Sequence, residues 1–272
     1  MCIIAYKPEN AEMPDYETLR NCFDNNEDGA GYMFAYNGKV HIVKGLMTFG
    51  GFIKSLTDTV TRYGKDRAYV LHFRWSTQAG VRKDCTHPFP LSKDMNDLRK
   101  LKTDCDIGIA HNGVISLTSS YLKTLTHNDT MEFITKYLSL IIKDRNYYKD
   151  PDKLKLIERL TDSKFAILDG TGRCELIGKD WIKDNGVFYS NDGYLPALEI
   201  FPHSSFLDGS GYISRYERYY NPAAGCYEFD AGNCPVFEDN DYGYCMCCKD
   251  YGVCYFDDGE EQENEQEEAL SK

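Results

Sequence analysis

Met1-Cys2-Ile3-Ile4-Ala5-Tyr6 opens the chain and poses the question on which the fold turns. Ile3, Ile4 and Tyr6 are strand formers, so the stretch 2–6 is expected to be a short buried strand. Within it Cys2 has two readings. It can be a small core residue. Alternatively, removal of Met1, which is general when the next residue is small, makes Cys2 the first residue, with a thiol and a free α-amino group on one carbon. An amine with a pKa near 8 can take the proton of a neighbouring thiol, and the thiolate is the attacking species.

The totals narrow the class. The chain has 272 residues and 42% hydrophobic content, enough for a sizeable core. Its formal net charge of −12 argues against a surface that tracks phosphates, so no direct nucleic-acid partner is expected. No apolar run approaches the roughly 20 residues that cross a bilayer, so no membrane association is expected. No basic segment precedes an apolar one as in a secretion signal. Eleven cysteines then read as reduced thiols or metal ligands in a cytoplasmic protein.

Working outward, 14–23 has helical spacing at Leu19, Cys22 and Phe23, with Asp15 as N-cap. Asn37-Gly38 inside 31–45 predicts a hairpin with a two-residue turn. A helix is predicted over 49–64 and a strand over 68–75, while 93–104 reads as a polar, exposed connection. Two strand halves are predicted to meet at Asn112-Gly113 within 107–115. Helices are predicted over 129–143 and 150–160, a hairpin over 164–178 and a last core strand over 186–192. Strands, then helices, then strands again predict an α+β fold of antiparallel sheets covered by helices.

Three further stretches carry candidate chemistry. His72 to Gly80 ends a strand with Arg74, whose guanidinium can hold a carboxylate in two bonds. On spacing alone a surface arginine beside a core tryptophan, Trp75, is the simpler reading. His111-Asn112-Gly113 offers a side-chain amide and a backbone N–H that can surround a tetrahedral oxyanion, or else an ordinary hairpin turn. Asp129, where a helix starts, is either its N-cap or an anion for a substrate ammonium. Arg74 and Asp129 together describe a pocket for an amino acid.

In their order along the chain these residues resemble the glutaminase domain of class II glutamine amidotransferases. The resemblance covers roughly 2–200. It is carried by Cys2-Ile3-Ile4, Asp28-Gly29-Ala30-Gly31, His72-Phe73-Arg74-Trp75-Ser76-Thr77 with Gly80, and His87-Pro88. It continues in His111-Asn112-Gly113-Val114-Ile115, Asn128-Asp129-Thr130, Phe165 to Asp169 and Tyr189 to Asp192. The sequence departs from that pattern at Gln78, where many members have His, at Leu71 in place of Gly, and at Asn25-Asn26-Glu27 in place of Arg-Gly-Pro.

The resemblance implies a four-layer αββα N-terminal-nucleophile hydrolase fold with two stacked antiparallel sheets. It implies that Cys2 attacks the side-chain amide of glutamine and forms a thioester, with Asn112 and Gly113 as the oxyanion hole. Arg74, Trp75, Thr77, His87 and Asp129 would bind substrate. Glutamate and ammonia would be released without any cofactor, the ammonia passing to a separate enzyme or subunit. Two alternatives stay open: hydrolysis of another γ-glutamyl or aminoacyl amide, and a non-catalytic interaction module on the same fold.

The remainder divides in two. Residues 201–256 form a Cys/Tyr-rich extension or small lobe. There Cys245 and Cys248 have zinc-ligand spacing, and Cys254 with Cys234 or Cys226 would complete four thiolates around a structural zinc. A set of reduced thiols, or a partner surface built on the tyrosines, is the alternative. The acidic tail 257–272 is expected to be disordered, because it cannot bury enough apolar surface to offset its ordering entropy.

Overall fold

The structure is a computed structural model that describes residues 2–76, 80–118, 126–196, 219–221 and 226–228. Thr77, Cys234, Cys245, Cys248, Cys254, most of the extension and the whole acidic tail lie outside the described residues. Chain contacts separate Met1–Ile200 from Phe201–Lys272.

The first unit contains β1 (Ile3–Lys7), α1 (Tyr16–Asp24), β2 (Ala30–Tyr36), β3 (Lys39–Leu46), α2 (Phe49–Tyr63) and β4 (Tyr69–Phe73). It continues with β5 (Phe89–Pro90), α3 (Met95–Arg99), β6 (Lys102–Cys105), β7 (Ile107–Asn112), α4 (Asp129–Phe133), α5 (Ser139–Ile141) and α6 (Pro151–Thr161). It ends with β8 (Lys164–Asp169), β9 (Cys174–Ile177), β10 (Ile182–Asp184) and β11 (Val187–Tyr189). In the second unit β12 (Tyr219–Asn221) pairs antiparallel with β13 (Cys226–Glu228), a hairpin that the weak periodicity of the extension does not predict.

The fold is α+β, with two antiparallel sheets in the first unit. One has seven strands in the order β10-β11-β1-β4-β2-β3-β6, the other four in the order β5-β7-β8-β9. Ile4, Met33, Val40, Ile42 and Val70 of the larger sheet share one core with Ala110, Ala166 and Leu168 of the smaller. Small residues on the smaller sheet set the approach. A Cβ on Gly108 would lie 2.4 Å from Met33 Sδ, so any larger residue there has to push Met33 aside. Aromatic side chains of α1 and α2 cover the other face of the larger sheet, where Phe23 and Phe52 pack on Phe73 and Phe52 packs on Tyr32. Met131, Phe133, Ile134 and Ile157 cover the smaller sheet against Ile109, Phe165 and Ile167.

Local signals account for several element ends. Asp15 caps α1, its carboxylate accepting the Thr18 N–H at 2.8 Å. Asn37 and Gly38 both have positive φ, 48° and 73°, as a tight turn between β2 and β3 requires. Asp169 closes the turn between β8 and β9 by accepting from the Thr171 N–H at 2.7 Å.

Three readings need correction and a fourth is extended. The stretch 93–104 is not a bare connection: it forms α3 and the edge strand β6, because Leu98 is fully buried and anchors it. The stretch 107–115 is one strand, β7, not two halves. Gly113, at φ 144°, takes the chain out of the sheet. The helix over 129–143 is interrupted by a π-helical turn at Ile134–Leu138. The last strand, β11, has a partner, β10, that the sequence did not reveal.

Leu98→Ala should therefore cost about 3 kcal/mol by urea unfolding, as for a large side chain deleted from a core. A change under about 0.5 kcal/mol, as for an exposed position, would contradict this packing.

Candidate functional site

Antiparallel pairing of β1 with β4 sets Ile3 opposite Phe73. Cys2, one residue earlier, thereby meets the residues just past the end of β4. Its Sγ accepts the Trp75 N–H at 3.3 Å and lies 3.4 Å from the Trp75 carbonyl oxygen, to which the thiol can donate. Asn191, just past β11, donates from Nδ2 to the Cys2 carbonyl at 2.8 Å. The nucleophile candidate is thus fixed from both neighbouring strands.

A cleft opens beside it. Cys2, Arg74, Trp75, His87, Gly113 and Asp129 line it, together with His111, Asn128 and Thr130. Six sequence-predicted site residues therefore share one place, although they come from segments up to 127 positions apart in the numbering, Cys2 to Asp129. Asn112 is next in chain to the lining residue Gly113, and its side chain is turned to Ser190 at 2.9 Å.

The economical reading of 74–75 is inverted. Arg74 is buried, 3% exposed, and Trp75 is the exposed one at 47%. Val70 and His72 face the smaller sheet, and alternation along the strand carries Arg74 to that same side. Arg74 Nη2 donates to Ser76 Oγ at 3.0 Å and to the Gly80 carbonyl at 2.9 Å, so both residues are held to the guanidinium. Asp28, from the DGAG turn, accepts the Ser76 N–H at 2.6 Å and fixes the same segment.

Asp129 is not the N-cap of α4. Asn128 is, accepting the Met131 N–H at 2.9 Å. Relieved of capping, the Asp129 carboxylate takes the Ile115 N–H at 2.7 Å and the Thr130 N–H at 2.7 Å. Burial pushes its pKa up, and these hydrogen bonds oppose the shift. The Cys2 thiol is also pushed up by burial, against the Trp75 hydrogen bond and the Arg74 charge, so it is held as a thiol near neutral pH. A base has to take its proton before it can attack.

Gly113 is obligatory on two counts. Its φ is 144°, and a Cβ would lie 2.5 Å from Ser163 Oγ. Gly113, in the lining of the cleft, thus holds a conformation that other residues reach only with strain.

Beneath the cleft lies a polar network that the sequence reading passed over. His72, His87 and His111 are all buried. The His72 and His87 rings stack at 4.2 Å, and His111 lies 6.2 Å from His87. His72 Nε2 donates to the His111 carbonyl at 3.0 Å, joining β4 of one sheet to β7 of the other. Thr130 Oγ1 is 2.8 Å from His111 Nδ1, 3.2 Å from His87 Nε2 and 3.3 Å from the Asp129 carboxylate. The hydroxyl gives its one proton to the carboxylate, so both imidazoles donate to it. Burial lowers the pKa of His72 and of His111 to about 3 and that of His87 well below the usual histidine value. The sequence signal was there, in His-x-Arg and Asn-Asp-Thr, but spacing alone says nothing of which hydroxyl bridges which rings.

No protein-family model matches this chain, and no curated protein does. Among solved structures it is similar to glutamine phosphoribosylpyrophosphate (PRPP) amidotransferase from B. subtilis complexed with ADP and GMP. The identity is 17%, the match covers 62% of this chain and 34% of that one, and the TM-score is 0.35. This chain thus matches about a third of that enzyme's length, and a likeness this distant carries no argument about chemistry.

The histidines set an acid limit. In the unfolded chain each binds a proton below about pH 6.5, and in the folded protein none does until far lower. The unfolded state then holds more protons, so stability present above pH 6.5 is lost as the pH falls, by up to about 1.4 kcal/mol per unit for each ring. Urea midpoints should drop steeply between pH 6.5 and 5, and a flat profile there would show that the rings are not buried and neutral.

Proposed function

We propose that this chain hydrolyses the side-chain amide of glutamine through a cysteine made amino-terminal by removal of Met1, on a four-layer αββα N-terminal-nucleophile fold. The convergence of Cys2, Arg74, Gly113 and Asp129 on one cleft carries the reading, because amide hydrolysis on an amino acid needs each of them. The Arg74 guanidinium suits the α-carboxylate of the substrate and the Asp129 carboxylate its α-ammonium. A cation beside Asp129 also relieves the cost of burying that charge. Thr77 adds a hydroxyl to the carboxylate end, and Trp75 and His87 wall the cleft.

The steps follow from protonation. The free amine of Cys2 takes the thiol proton, and the thiolate attacks the γ-carbonyl carbon. The oxyanion receives the Gly113 N–H and the Asn112 amide, donors whose loss costs about 10²–10³ in rate in comparable sites. The amine returns its proton to the leaving nitrogen, and ammonia departs from a glutamyl thioester. Water, deprotonated by the same amine, attacks the thioester and releases glutamate. These steps use no cofactor. A zinc held by Cys234, Cys245, Cys248 and Cys254 would be structural, and the ammonia would serve a separate acceptor in the cytoplasm.

The test uses protein whose lack of Met1 is verified by mass. It should release glutamate from glutamine, and do so faster than it cleaves asparagine or γ-glutamyl peptides. Cys2→Ala and a form that keeps Met1 should each lose turnover by about 10⁴-fold or more, as for loss of a covalent nucleophile. Full turnover in Cys2→Ala would end the proposal, and glutamine as the poorest substrate would move it to another amide.

A further inference from the structure

The hydrogen bonds around Asn112 do not close as drawn from its neighbours. Its Nδ2 stands 2.9 Å from Ser190 Oγ, while its Oδ1 is buried with no hydrogen-bond partner among the described residues. Ser190 is buried as well, 1% exposed, and its Oγ already accepts the Ile4 N–H at 2.9 Å. A hydroxyl has one proton to give and lone pairs to receive with. If Ser190 receives from both Ile4 and Asn112, its own proton and Asn112 Oδ1 are both stranded in a buried place, which folded proteins avoid. A half-turn of the carboxamide interchanges its oxygen and nitrogen without moving the chain. Ser190 then accepts from Ile4 and donates to Asn112 Oδ1 over the same 2.9 Å. The NH₂ group takes the side that had no partner, so the stranded groups fall from two, the Ser190 proton and Asn112 Oδ1, to one, the NH₂.

We infer that Ser190 is a positioning residue whose hydroxyl, engaged by the Ile4 N–H, holds the Asn112 carboxamide with its NH₂ turned away to receive an oxyanion. This rests on the reading of Asn112 and Gly113 as the oxyanion donors. The choice matters because the opposite orientation would present a carbonyl oxygen to a developing negative charge. Ser190 is also well placed for the role. Its own N–H donates to the Ile4 carbonyl at 2.9 Å, and the next residue, Asn191, holds the Cys2 carbonyl. Nucleophile and oxyanion donor are thereby referenced to one point at the end of β11. Lys164, opposite Asn112 in the register of β7 with β8, donates to the Ser190 carbonyl and to the Asp180 carbonyl, so the Ser190 backbone is tied to the smaller sheet as well.

Kinetics with glutamine and a direct view of the protons test this together. Ser190→Ala should lower kcat by about 30-fold or more, part of what losing an oxyanion donor costs. KM should stay within about threefold, because Arg74 and Asp129 are untouched. Ser190→Thr, which keeps the hydroxyl, should recover most of kcat. In an Asn112→Ala background Ser190→Ala should have no further effect, since both act through one group. A Ser190→Ala protein that melts earlier yet keeps its kcat would overturn the inference, as would effects that multiply with Asn112→Ala. Neutron diffraction from the wild-type protein should place the Ser190 deuterium on the line to Asn112 Oδ1. An ND₂ group facing Ser190 would overturn the inference whatever the turnover. A wild-type protein without glutaminase activity would instead count against the proposed function, and the neutron map would still decide the orientation.

Discussion

The pairing of β1 with β4 is the constraint on which the site depends. With Ile3 opposite Phe73, the residue before the strand has only one place to go, against the backbone of Trp75 and beside Arg74. A shift of one residue would exchange the two faces of β1 and send Cys2 to the side packed by α1 and α2. The register is protected because Ile3, Ile4 and Ala5 are fully buried, Ile4 in the core between the sheets. Hydrophobic burial on both faces of a five-residue strand thus fixes the position of a single sulfur.

Around that sulfur the molecule keeps polar groups where they are costly. The Asp129 carboxyl and the Cys2 thiol are both pushed toward their neutral forms by burial, and three imidazoles are held neutral below them. Such an arrangement favours the arrival of complementary charge, and it keeps the thiol un-ionised and so less open to oxidation. The same hydrogen bonds that make the network join the two sheets, since His72 bonds the carbonyl just before Asn112 and Thr130 bridges His87 to His111. Stability of the sheet pair and geometry of the cleft are therefore one property, and both weaken on acidification.

Much of this was legible in the sequence. Asn37-Gly38, the Asp15 cap and the order of strands and helices point to antiparallel sheets with helical cover, and the site residues sit in short local patterns. What was not legible depends on partners remote in the chain. Whether Arg74 is inside and Trp75 outside follows from the face that β4 turns to the smaller sheet, which no window of sequence contains. Asn128 took the capping role from Asp129 because only three-dimensional contact with Ile115 gives that carboxylate something better to accept. Leu98 looked like an isolated apolar residue in a polar run, yet its buried side chain, with the Asp94 cap and Met95 against the same core, anchors α3. Ser190 lay within the Tyr189 to Asp192 element, but a serine at a strand end has no readable role until its two buried neighbours are known.

Covalent labelling at the cleft bears most directly on the central claim. The protein lacking Met1 is treated with an electrophile that carries the α-carboxylate and α-ammonium of glutamine, and the adduct is mapped by peptide mass spectrometry. Modification of Cys2 alone, protected by excess glutamine and greatly slowed by Arg74→Ala or Asp129→Ala, is the predicted result. Modification spread over Cys85, Cys105 or Cys174, or an unreacted Cys2, would mean that the thiol at the head of β1 is an ordinary core side chain.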